Sequence, residues 1–87
     1  FSLTAVYPDP IPSAVPMTTL ALSTSAEGRL TATLYDELGR RTKVLANDYL
    51  LAGPHELPLS LDGVTAGHYI LAVTCGGETI THAIEVR

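Results

Sequence analysis

Over residues 29–35 the side chains alternate without interruption. Leu30, Ala32 and Leu34 fall on one face of an extended chain, and Thr31, Thr33 and Tyr35 fall on the other. A period of two held this long is the mark of a half-buried strand, and no helix presents it. Similar short apolar or β-branched stretches recur along the chain, each stopped by turn chemistry. That spacing constrains the fold more than any other feature.

Seven such segments can be marked. Residues 3–7 form the first, ended by Pro8-Asp9-Pro10-Ile11-Pro12, whose three prolines forbid a ladder and predict an extended surface crossing. Residues 17–22 follow, with Thr18, Leu20 and Leu22 on one face, and residues 23–28 read as a polar loop. After the alternating third segment, Asp36-Glu37-Leu38-Gly39 predicts a type I turn whose Gly takes the left-handed conformation, giving a hairpin with a bulge. The return strand is expected over residues 41–46, with a less regular run to Leu51.

Ala52-Gly53-Pro54 makes another turn, after which His55, Leu57, Leu59 and Leu61 line one face. Pro58 cannot donate to a ladder, so this fifth strand belongs at a sheet edge. Residues 62–67 form a loop. Residues 68–75 are apolar on both faces and predict a central strand covered on both sides. Gly76-Gly77 signals a two-residue hairpin. The last strand, residues 78–86, puts Ile80, Ile84 and Val86 on one face. The expected fold is a single all-β domain over residues 1–87, a seven-stranded antiparallel immunoglobulin-like Greek-key sandwich. Tyr69, just after the tight Gly67 turn, is expected to form a tyrosine corner by bonding its hydroxyl to backbone between Asp62 and Ala66. The plainer alternative is a half-buried strand aromatic.

Composition sets limits on function. The 87 residues are 46% hydrophobic and 16% charged, a balance that argues against disorder. With no Trp and one Phe, the core must be aliphatic. The net charge is −4, and only Arg40, Arg41 and Lys43 cluster among five basic residues, which excludes nucleic acid as a partner. The uncharged stretch 10–26 is broken by prolines and cannot span a membrane. Cys75 stands alone, so no disulfide or cysteine-based zinc site can form within the chain, and it reads as a small buried hydrophobe. The chain opens on Phe1 and is expected to be a fragment or a processed product.

No nucleophile, base and orienting group can be assembled from motifs. His55, His68 and His82 sit in or beside different strands, His82 reads as a satisfied strand histidine, and Asp9, Asp36, Glu37 and Asp62 all lie at turns, where Asp bonds its own backbone. No catalysis, cofactor or metal is expected.

Four segments, in order, resemble the C-terminal sorting-domain family of bacterial type IX secretion. Val6-Tyr7-Pro8-Asp9-Pro10 is similar to its opening Tyr-Pro-Asn-Pro motif, with Asp9 in place of the Asn. Leu34-Tyr35-Asp36-Glu37-Leu38-Gly39-Arg40 resembles its hairpin. Leu61-Asp62-Gly63-Val64-Thr65-Ala66-Gly67-His68-Tyr69 resembles its Leu-x-x-Gly-x-Tyr lead-in to the sixth strand. Gly76-Gly77-Glu78 and Ile84-Glu85-Val86-Arg87 resemble its final hairpin and basic-ended tail.

The resemblance implies a non-catalytic secretion signal that rides at the end of a larger cargo protein of a Bacteroidota-type bacterium. The partners it implies are the cargo domain upstream, the type IX outer-membrane translocon, its shuttle protein and a surface sortase. The route it implies runs through the periplasm to the cell surface or extracellular space, without membrane insertion. The family's recognition element maps to Ile84, Glu85, Val86 and Arg87. Val86 and Arg87 are expected to fray with few contacts, and Ile80 and Ile84 are expected to serve the core. The alternative is an accessory immunoglobulin-like or fibronectin-like module of a secreted enzyme, of hook-capping or carbohydrate-binding type. The missing Trp and the scattered tyrosines Tyr7, Tyr35, Tyr49 and Tyr69 weigh against it.

Overall fold

A computed structural model describes residues 1–12 and 14–87. Seven strands form in the order β1 (Ser2–Tyr7), β2 (Met17–Thr24), β3 (Gly28–Tyr35), β4 (Arg41–Leu50), β5 (Gly53–Ser60), β6 (Gly67–Cys75) and β7 (Glu78–Val86). They make two antiparallel sheets, β1-β2-β5 and β4-β3-β6-β7. Consecutive strands change sheet at β2–β3, β4–β5 and β5–β6, which is the crossing pattern of an immunoglobulin-like Greek-key sandwich. β4 stays beside β3 in the larger sheet.

Alternation does the sorting. Leu20 and Leu22 of β2, Leu30 and Leu34 of β3, Leu59 of β5, and Leu71 and Val73 of β6 meet between the sheets and are almost fully buried. Each such side chain contributes roughly 1.5–3 kcal/mol by leaving water. Pro58 lies in β5, an edge strand, as its missing N–H requires. Gly76 and Gly77 take φ of 60° and 83° between paired Cys75 and Glu78, so the two-residue hairpin is of the primed kind.

Four expectations are corrected. β2 runs on to Thr24 and β3 starts at Gly28, leaving only residues 25–27 as loop. Thr24 Oγ1 takes up that loop by accepting from Ala26 N at 3.2 Å. β4 is continuous over ten residues. Register shifts opposite Ala32/Thr33 and Leu34/Tyr35 leave Leu45 and Thr42 unpaired, and each extra residue inverts the alternation that would have revealed the strand.

β6 is central in its sheet, yet only one of its faces is covered: Ile70 is 39% exposed on the other. The proline-rich crossing is more than a surface link. Ile11 is fully buried, donates to Glu85 O (2.8 Å), accepts from Arg87 N (2.9 Å) and forms a parallel bridge to Val86. Pro10 and Pro12 lack N–H groups, but Ile11 between them keeps its own.

Candidate functional site

The hairpin after β3 is organised by one carboxylate. Asp36 Oδ1 accepts from Leu38 N and Arg40 N, both at 2.9 Å, and Oδ2 faces Arg40 Nε at 2.9 Å. Gly39, at φ 79°, closes the turn by donating to Asp36 O at 3.0 Å. The Arg40 N–H bond, helped by the Arg40 guanidinium and the Leu38 N–H, holds the Asp36 carboxyl below its ordinary 3.8.

The Tyr69 hydroxyl donates to Thr65 O at 2.6 Å and lies 3.1 Å from Thr65 Oγ1. Its ring is buried, with an edge 3.7 Å from where a side chain on Gly67 would begin. This is the tyrosine corner, at the place in the chain that the sequence indicates. A third fixture joins distant segments: Asp9 Oδ1 accepts from Glu85 N at 3.2 Å, and Thr18 Oγ1 donates to Pro8 O at 3.1 Å.

These fixtures share one end of the larger sheet. Tyr35 pairs with Ile70, Tyr69 with Ile84, and Gly67 with Val86, so the Asp36 turn, the corner and the end of β7 lie side by side. Asp9 and Pro10 border them through Glu85. An apolar groove of about 660 Å³ runs over the outer face here, floored by Ile70, Ala72 and Ala83 and bordered by Asp36, Glu37 and Glu85. Gly76 and Gly77 lie at the opposite end, beside Gly28.

Of the expected recognition residues, Ile84 and Val86 are core residues, each 3% exposed. The expectation that Val86 and Arg87 fray is corrected, because Ile11 and Gly67 flank Val86 and Arg87 N is bonded to Ile11 O. Glu85 and Arg87 present their side chains outward and meet at 3.3 Å. Ile80 is only half-buried, so its part in the core is smaller than expected. Sequence patterning does not reveal Ile11, whose place between prolines gives no periodicity to read.

The histidines stay apart. His55 Nε2 donates to Leu51 O at 2.6 Å, His68 faces the outer groove, and His82 Nε2 lies 3.8 Å from Asp9. Among the described residues, no three His, Cys, Asp or Glu side chains converge as a metal site would need. Cys75 is buried at the end of β6. No family model matches the chain, and no curated protein or solved structure is significantly similar to it.

Proposed function

We propose that this domain is a non-catalytic sorting module that directs a larger cargo polypeptide through type IX secretion to the bacterial surface. One observation supports the reading above others. Three segments that resemble the sorting-domain family, Tyr7-Pro8-Asp9-Pro10, Asp36 to Arg40 and Gly67 to Tyr69, adjoin residues 84–87 at a single end of the sandwich. Segments this far apart in sequence make one continuous surface there, rigid because each is fixed by a side-chain-to-backbone bond. A receptor of the translocon would read the outward side chains of that surface, Arg40, Glu85 and Arg87 among them, while the inward ones hold the fold.

The test is export of a fused reporter. A signal-peptide-bearing fluorescent protein ending in this domain, expressed in a bacterium with a type IX system, should reach the surface or medium. Translocon-deficient cells should retain it in the periplasm. Equal retention in both strains would refute the reading. Loss of export on changing Glu85 and Arg87 to Ala, with unfolding unchanged, would assign recognition to this end.

A further inference from the structure

Natural sandwiches protect their sheet edges, and three of the four edges in this one are protected. β1 is short and carries a register shift between Leu3 and Ala5. β5 carries Pro54 and Pro58. β4 carries Arg41, Lys43 and Asp48 together with two register shifts. β7 has none of these devices. Its register with β6 is unbroken from Glu78 to Val86, and residues 79–84 contain no Pro, Lys, Arg, Asp or Glu.

The direction of its free hydrogen-bonding groups follows from the groups already engaged. Glu85 N bonds Asp9, and Glu85 O accepts from Ile11, so both groups of Glu85 point away from β6. Unbroken alternation turns the N–H and C=O of Ala83, Thr81 and Thr79 the same way. The Asp9–Ile11 segment covers the edge at residues 85–87, and the Phe1 amine lies 3.5 Å from Glu78 Oε1 at the other end, so the open stretch runs from Thr79 to Ala83.

We infer that this open edge pairs with the same edge of a second copy of the chain, antiparallel, about a two-fold axis at Ile80. The stretch is self-complementary in that register. Thr79 of each copy lies opposite Thr81 of the other, and these pairs exchange four main-chain hydrogen bonds, using groups that face outward. Ile80 meets Ile80 of the second copy across the axis, on the side facing the smaller sheet. Glu78, whose side chain is 69% exposed, lies opposite His82, so no like charges oppose each other. Centring one residue later, at Thr81, would drive the second copy's Gly77 against the covered Glu85. The Ile80 register stops short of it. The two larger sheets then join into one of eight strands. So short a contact falls below the roughly 1,000 Å² of a stable interface, which makes this a weak, concentration-dependent dimer.

The experiment uses the 87-residue chain in sedimentation velocity from about 10 µM to about 1 mM, with amide exchange followed by NMR over the same range. The weight-average sedimentation coefficient should rise with concentration, and the Thr79 and Thr81 amides should become protected along with it. Thr81→Pro removes an N–H that bonds nothing within the copy, so it should keep the thermal midpoint within a few degrees and abolish the rise. The register is read separately by cysteine cross-linking with Cys75 changed to Ser. Ile80→Cys should give a disulfide dimer under oxidised glutathione, because a facing non-hydrogen-bonded pair lies at about 4.5 Å between Cα atoms. Thr79→Cys, which does not face itself, should cross-link at least tenfold more slowly. A chain monomeric throughout would overturn the proposal and leave the edge to a strand of another protein. Association that survives Thr81→Pro, or cross-linking at Thr79 as fast as at Ile80, would also overturn it.

Discussion

The Asp9 carboxylate accepts a hydrogen bond from the Glu85 main-chain N–H at 3.2 Å, joining segments 76 positions apart and closing β7 where the proline crossing meets it. A side-chain oxygen thus serves the Glu85 N–H in place of a main-chain carbonyl, next to the main-chain bond that Ile11 N–H makes to Glu85 O. It also brings two of the segments that resemble the sorting family into contact.

Asp9→Ala should therefore lower stability by about 0.5–1.5 kcal/mol, the worth of one partly exposed hydrogen bond. Asp9→Asn keeps an acceptor oxygen at the same place and should recover most of the loss. Urea unfolding of the three proteins separates these outcomes. Equal losses in both variants would mean that the carboxylate charge, and not the hydrogen bond, matters.

Tyr69→Phe removes the hydroxyl that donates to Thr65 O. The cost should be about 1 kcal/mol, and up to about 3 kcal/mol if the carbonyl is left without a partner. Thr65→Ala should cost less, since the carbonyl that Tyr69 bonds is main chain and survives the change. A Thr65→Ala loss equal to that of Tyr69→Phe would show that the Thr65 hydroxyl, 3.1 Å from the Tyr69 oxygen, carries the corner.

How far the sequence is legible follows from how local each signal is. The corner is readable because a Gly turn two residues ahead of a Tyr sets its geometry within one short stretch. The Asp36 hairpin is readable for the same reason: donor, acceptor and Gly lie within five residues. The full length of β4 is hidden because its two bulges depend on register with β3, which no feature of β4 itself reports. β6 reads as covered on both faces because Ile70 and Ala72 are apolar, but nothing in a strand says whether a second layer exists on its far side. Ile11 is invisible because its partners, Glu85 and Arg87, lie at the other end of the chain. The candidate site shares this division: its turns are visible singly, and their meeting at one end comes only with strand order.

Acid should weaken the β3–β4 hairpin through Asp36. Its carboxyl is held below 3.8 chiefly by the Arg40 N–H, so the folded form binds its proton less readily than the unfolded chain. The sign is fixed by that direction. Its contribution is fully present well above pH 3.8 and is lost as pH falls through the lowered folded value. Asp36→Asn should be less stable than wild type near neutrality, and the two urea midpoints should converge as pH is lowered. A constant difference at every pH would assign the effect to geometry alone.

Val86 and Ile11 form the contact that contradicts a fraying end, and their coupling can be measured. Ile11 is fully buried and Val86 is 3% exposed, and they bridge in parallel between Glu85 O and Arg87 N. Ile11→Ala leaves a cavity and should cost about 2–5 kcal/mol. Val86→Ala loses less volume and should cost about 1–3 kcal/mol. Both remove atoms from one shared contact, so the second change should find part of the first loss already incurred. The double variant should fall short of the sum by more than about 0.5 kcal/mol, beyond the additivity of independent sites. If the double variant does not fold at room temperature, Ile11→Val with Val86→Ala measures the same coupling at lower cost. Strict additivity would mean that the crossing and β7 are fixed independently, and Ile11 would then not be the residue that ties them together.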